Sequence, residues 1–233
     1  MRGLIPCSKL LLMPGKNTIK ELRSGGYYHV YNRGVAKQTI FHNDHDYVVF
    51  LRFLKEYLLP LDHLDRQELQ GINPRRKAKS CFGEVQLLAY CLMPNHFHLQ
   101  VKNLTSDGLT KFMKMLGTNY SMYYNHEYKR VGPLFQGIYK AVEIINDGQL
   151  LQVNRYIHRN PLPLLTRDQP LYEYAYSSYP AYLGNWQADW LETDEIGGRF
   201  SRNSPRLSYV SFVEESEEIP ASYEKLFLGL DDA

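Results

Sequence analysis

Apolar and polar residues along the chain alternate between a period of two, expected of strands, and spacings of three or four, expected of one helix face. "GGYYHVYNRG" (25–34) is rich in β-formers and closed by a glycine, which predicts a first strand and its turn. In the segment after it, Asn43 or Asp44 is placed to cap a helix, and Tyr47, Leu51, Leu54 and Leu58 fall on one helical face. Residues 60–83 lose periodicity and contain a basic loop, "NPRRKAKS" (73–80). Strands are expected at 84–93 and 96–103, separated by the turn signal Pro94-Asn95. "TSDGL" (105–109) opens a second helix, with Leu109, Phe112, Leu116, Tyr120 and Tyr123 at helical spacing. "PLFQGIYKAVEI" (133–144) reads as another strand, and Asn146 or Asp147 caps a third helix that Pro161 ends. The order βαββαβ(α) predicts an α+β fold of ferredoxin-like, or RRM-like, type: an antiparallel sheet with helices on one face.

"MPNHFHLQV" (93–101) sets two histidines into an otherwise apolar strand. Alternation puts His96, His98 and Gln100 on one face and Phe97, Leu99 and Val101 on the other. The second face reads as core and the first as the floor of a site. Two imidazoles with an oxygen ligand and open positions suit a divalent ion that polarises a substrate oxygen. In isolation an H-x-H pair is weak evidence of a metal and is more often the pattern of packed or surface histidines. The third helix presents Tyr156 and Asn160 at i and i+4, on one face, with Gln149 and Gln152 near it. Leu150, Val153 and Ile157 form the stripe that seats this helix on the sheet. A half-buried tyrosine and an ordinary helix C-terminal asparagine would show the same spacing, and Tyr120, Tyr123 and Tyr124 on the second helix are rival phenols.

Composition narrows the class. Of 233 residues, 44% are hydrophobic and 22% charged, ordinary for a globular chain, and no apolar run reaches the ~18 residues of a membrane span. The apolar start "MRGLIPCSKLLLMPG" is short and broken by Pro6, Ser8 and Lys9, so a cytoplasmic protein is expected, nucleoid-associated when bound to DNA. Cys7, Cys81 and Cys91 form no C-x-x-C pair and fit a reducing compartment. The net charge of +2 conceals an asymmetry: residues 1–185 carry 23 Lys+Arg against 14 Asp+Glu, and residues 186–233 carry 4 against 11. A basic body is the footprint of a nucleic-acid binder or simply a solvated surface. "EYAYSSYPAYLG" (173–184) is expected to pack back on the domain, and the acidic stretch containing "EESEE" (214–218) to be loosely attached. The division that follows is an N-terminal extension (1–24), a catalytic domain (25–185) with a basic insertion (60–83), and an acidic tail (186–233).

The blocks "YHVYNRG", "YCLMPNHFHLQV", "GPLFQGIYKAV", "YIHRNP" and "EYAYSSYPAYLG" stand in an order and spacing that resemble the HUH single-tyrosine transposases of the insertion-sequence family, closest to the REP-associated branch. The resemblance spans roughly residues 25–184. It implies that His96 and His98 hold Mg2+ or Mn2+, that Asn160 completes the metal site, and that Tyr156 attacks DNA. The implied activity is endonucleolytic nicking and strand transfer on single-stranded DNA with a foldback hairpin, through a 5′-phosphotyrosine, and a homodimer is left open. Lys140 matches a basic position of the family. Arg155, Arg159, Lys129 and Arg130, with Arg75, Arg76 and Lys77 in the basic loop, are candidate phosphate contacts. Two rivals use fewer of these residues. A non-catalytic single-strand-binding regulator needs neither the histidine pair nor Tyr156, and a small metallohydrolase leaves no covalent intermediate.

Overall fold

The computed structural model describes residues 22–63 and 80–215. Strand β1 (Gly26–Arg33) alternates as expected: Tyr28 and Val30 enter a core on one face, and His29 and Tyr31 are buried on the other. Helix α1 (Asp44–Leu58) begins where Asn43 Oδ1 accepts the amide of Asp46, and it buries Tyr47, Phe50, Leu54 and Leu58. Strands β2 (Val85–Met93) and β3 (His96–Asn103) form the hairpin turned by Pro94-Asn95. Helix α2 (Gly108–Glu127) takes its N-terminal bond from the buried Asn103, whose Oδ1 accepts the amide of Leu109 at 2.9 Å. Gly108 is required there, because a Cβ would stand 2.5 Å from the carbonyl oxygen of Glu84.

Strand β4 (Lys140–Ile144) is shorter than the expected 133–144. Gly132 and Gly137 have positive φ, which breaks the run into a loop that meets the end of β1 through a Gly34–Phe135 bridge and the bond from Gln136 N to Arg33 O at 2.8 Å. Helix α3 (Asp147–Arg159) is capped by Asn146, whose Oδ1 accepts the amide of Gln149 at 2.9 Å, and Pro161 follows its end.

The four strands form one antiparallel sheet in the order β2-β3-β1-β4, the ferredoxin-like arrangement. The two helices of the βαββαβ unit, α1 and α2, lie together on one face over Val30, Phe97, Leu99 and Val101. The additional helix α3 closes the opposite face, where Leu150, Val153 and Ile157 pack on Ala89, Cys91 and Met93. Being covered on both sides, β2 reads as a nearly continuous apolar run, while β3 alternates because its second face carries His96, His98 and Gln100. The edge of β2 is covered by 174–182, where Tyr176 O accepts from Leu92 N at 2.9 Å, Ser178 N donates to Tyr90 O at 2.9 Å, and Tyr182 Oη donates to Leu88 O at 2.7 Å. The packing back expected of this block is therefore realised as an edge guard.

For residues 186–215, the expectation of a loosely attached acidic tail is corrected. The segment includes short helices α5 (Asp194–Gly197) and α6 (Tyr209–Glu214), which follow α4 (Tyr179–Tyr182). Leu191, Ile196, Tyr209 and Val213 are buried in the two cores, and Glu192 N donates to Leu87 O at 2.8 Å. Asp189, Asp194, Glu214 and Glu215 are exposed, Glu195 turns inward to pair with Lys102 at 3.0 Å, and the apolar residues make the inner contacts, so net charge concealed a packed element.

Candidate active site

β3 register decides which side chains meet. His98 stands opposite Tyr31 of β1 and Cys91 of β2; Gln100 stands opposite His29 and Ala89. Residues opposite one another in an antiparallel pair share a face. The expected face of His96, His98 and Gln100 is thus extended by His29, Tyr31 and Arg33, with Lys140 in line with Tyr31 on β4. All of it lies under or beside α3.

The imidazoles of His96 and His98 stand edge to face, with centroids 4.9 Å apart. His96 Nδ1 lies 2.6 Å from Asn95 Oδ1, an atom that can only accept, so Nδ1 carries the hydrogen and Nε2 the lone pair. Burial lowers His96 to a pKa of about 4, opposed by a hydrogen bond with Asn160. Asn160 spends its amide nitrogen on Tyr156 O at 2.9 Å, so its amide oxygen can accept only from a protonated His96 and stands beside the neutral ring as a second lone-pair donor. His98 is fully buried, and burial followed by its histidine neighbours holds it well below the usual imidazole range. Its Nδ1 lies 3.0 Å from His29 Nε2, and its Nε2 is buried with no hydrogen-bond partner among the described residues. When His98 donates from Nδ1 to His29, that buried Nε2 carries the lone pair a cation needs.

Tyr156 is half-buried over the pair, its ring 5.5 Å from His98 and 5.8 Å from His29, both edge-on. Gln152, one turn before it, has a buried Oε1 with no hydrogen-bond partner among the described residues. Two neutral imidazoles, one of them with a buried orphan nitrogen, and an amide oxygen fit a hard divalent ion that keeps open positions. No trio of His, Cys, Asp or Glu that could form a closed metal site exists among the described residues.

α3 is held in place by buried polar bonds. Gln100 Nε2 donates to Leu150 O and Asn154 Nδ2 to Gln100 Oε1, both at 2.8 Å. Tyr209 Oη donates to Asn154 Oδ1. Since that oxygen only accepts, Tyr209 must in turn accept from His158 Nδ1, and His158 Nε2 accepts from Ser178 Oγ at 2.7 Å. Burial lowers His158 to about 3, so this neutral tautomer persists at neutral pH.

The other candidates lie elsewhere. Tyr120, Tyr123 and Tyr124 face α1 on the far side of the sheet, where their hydroxyls donate to Ile40 O, Asp46 Oδ1 and Thr39 O. Arg155 is 3% exposed and donates to Glu215 O; Arg159 donates to Val213 O at 2.7 Å. Both therefore face the C-terminal segment and not the histidines. Arg130 lies with its guanidinium 5.5 Å from the Tyr124 ring. Lys140 is half-buried on the site face, its ammonium 5.8 Å from the Tyr31 ring. Arg75, Arg76 and Lys77 lie outside the described residues. The residues missed in the sequence are His29, Tyr31, Asn154, His158 and Tyr209. The alternation of "YYHVYNR" held the signal for the first two, and the last three needed the tertiary packing of 174–215.

A histidine-bearing antiparallel sheet closed by a tyrosine-bearing helix defines the type of domain. Residues 74–160 match the model of the IS200-like transposases. Among solved structures, it is similar to a REP-associated tyrosine transposase bound to a REP hairpin, with 13% identity, a TM-score of 0.43, and coverage of 75% of this chain and 94% of that one. It is also similar to a Deinococcus radiodurans protein assigned as a transposase, with 15% identity, a TM-score of 0.35, and coverage of 63% and 95%. None of the curated proteins compared with the chain matches it. No helix among the described residues is long and apolar enough to cross a membrane.

Proposed function

We propose that this transposase relative nicks single-stranded DNA and transfers the strand through Tyr156, in a reaction that depends on Mg2+ or Mn2+. The observation that carries the reading is the Tyr156 ring 5.5 Å from His98, whose buried Nε2 has no hydrogen-bond partner among the described residues. A tyrosine hydroxyl, with an ordinary pKa near ~10, is a weak nucleophile at neutral pH and needs a phosphate made receptive by neutralised charge. His96, His98 and Asn160 would hold the ion, which when bound supplies that neutralisation and orients the scissile phosphate. Tyr156 Oη forms a bond to phosphorus as the bond to O3′ breaks, and the phenolic proton is released as the leaving oxygen gains one. The product is a 5′-phosphotyrosine and a free 3′-OH, so religation is the reverse displacement and needs no external energy source. Lys140 and Arg33 border the site and are suited to hold flanking phosphates. The hairpin preference rests on the family resemblance.

The test is incubation of labelled single-stranded hairpin DNA from beside the gene with the protein and Mg2+, followed by a denaturing gel. Wild type should give cleavage and a covalent adduct; Tyr156→Phe should lose both and keep DNA affinity. His96→Ala should slow cleavage, with partial recovery at high Mn2+. Cleavage retained by Tyr156→Phe without an adduct would establish the metallohydrolase, and a wild type that binds without cleaving would establish the regulator.

A further inference from the structure

Behind α3, residues Arg199–Glu215 fold against the helix flank that carries Arg155 and enclose a cavity of about 470 Å3. Its lining joins three arginines, Arg155, Arg199 and Arg206, with the rings of Phe200 and Phe212 and only one carboxylate, Glu215. We propose that this cleft is a second DNA site that receives one nucleotide of the single strand, its phosphate on Arg199 and Arg206 and its base against Phe200 and Phe212. The inference rests on the strand-transferase reading of the chain.

Three guanidinium groups lining one cleft repel one another, and the Arg199–Asp147 ion pair offsets only part of that repulsion. Two of the three are fixed from behind. Arg155 is buried, donates to Glu215 O and sits 5.7 Å from the Phe212 ring centroid. Arg199 is oriented by Asp147 Oδ2 at 2.7 Å and Glu195 O at 3.1 Å. Arg206 is exposed, with no carboxylate within ion-pair distance among the described residues. The phenyl rings lie 5.0 Å apart, tilted by 37°. Arginine bound to phosphate beside an aromatic platform is the chemistry of single-strand recognition. A bare phosphate would leave the rings without a role, and an apolar ligand would leave the cations without one. A paired base could not enter, because its faces are already stacked. The volume is that of a small-molecule site. Arg155 directly precedes Tyr156, so a strand passing from the active site to the cleft crosses only the width of one helix, ~10 Å.

The test is fluorescence anisotropy of a fluorescein-labelled twenty-nucleotide oligothymidylate with the full chain at low salt. Arg206→Glu should weaken binding about tenfold or more, while Arg202→Glu, an equal charge change at an exposed residue outside the cleft, should weaken it less than about threefold. Arg206→Ala should reduce the slope of log affinity against log salt by about one. Phe212→Leu keeps an apolar side chain, removes the ring, and should cost about fivefold or more. Equal losses in Arg206→Glu and Arg202→Glu would overturn the site even if Phe212→Leu fails to fold. Wild-type nicking with unchanged affinity in the cleft variants would remove this proposal alone. No binding of any single strand by wild type would remove it together with the strand-transferase reading.

Discussion

Tyr209→Phe removes one hydroxyl from the centre of the network that fixes α3, the helix carrying Tyr156. That hydroxyl donates to Asn154 Oδ1 and accepts from His158 Nδ1, and all three residues are buried. Without it, one acceptor and one donor lose their partner with no water at hand. Each buried orphan costs about 1–3 kcal/mol, so the loss should reach about 2–6 kcal/mol, a large part of the ~5–15 kcal/mol that holds a domain together. The assay is urea unfolding followed by far-UV circular dichroism, with the transition shifted to lower urea and its slope unchanged. Adding Asn154→Leu removes the orphaned acceptor, so the double variant should lose less than the sum of the single losses. A loss below about 0.5 kcal/mol in Tyr209→Phe would refute the reasoning, because the network would then be geometry without energetic content.

His29→Leu removes the partner of His98 Nδ1 and should weaken Mn2+ binding about 10- to 100-fold, whereas His29→Gln, able to offer an amide oxygen near the same place, should keep most of it; isothermal titration decides, and equal affinities would exclude a role for His29 in setting the tautomer. A chain ended after residue 185 loses the burial of Leu191, Ile196, Tyr209 and Val213, each worth about 1.5–3 kcal/mol, and should show no cooperative thermal transition; a sharp melt near the wild-type temperature would refute this. His96, His98 and His158 have folded pKa values lowered by burial, two of them to about 4 and about 3. The unfolded chain binds protons at these positions below about pH 6.5 while the folded one does not, so their contribution is full above that pH and is lost as pH falls. The urea midpoint should hold between about pH 7 and 8 and decline from about pH 6.5 towards 5; a flat profile over that range would count against neutral burial of these rings.

Elements were legible wherever one local signal decided them. Asn43 and Asn146 cap where their side chains predict, Pro94-Asn95 turns the hairpin, and the alternation of 96–101 divides imidazoles from core. The expected β4 is longer than the observed one because Leu134 and Phe135 are apolar enough to read as strand, although glycines of positive φ on both sides limit their pairing to a single bridge. The segment after 185 was misjudged for a related reason. Its burial comes from isolated contacts, Leu191, Ile196 and Tyr209, spaced too irregularly to give a period, so only its charge was visible.

The site divides in the same way between what one strand encodes and what register adds. His96 with His98, and Tyr156 with Asn160, can be paired from the sequence because each pair lies on a single element, where a period of two or 3.6 fixes the face. His29 belongs to another strand, and it reaches His98 only through the pairing of β1 with β3, which brings Tyr31 opposite His98 and His29 opposite Gln100. A shift of one residue in that register would turn His29 into the α1–α2 core and carry Tyr28 and Val30 to the site. The apolar alternation of β1 forbids the shift, since it would bury an imidazole among hydrocarbon on one face and strand two core residues on the other. The same pattern that builds the core therefore fixes the position of His29 beside His98. Local periodicity thus implies a second histidine layer, provided that the partner strand is known.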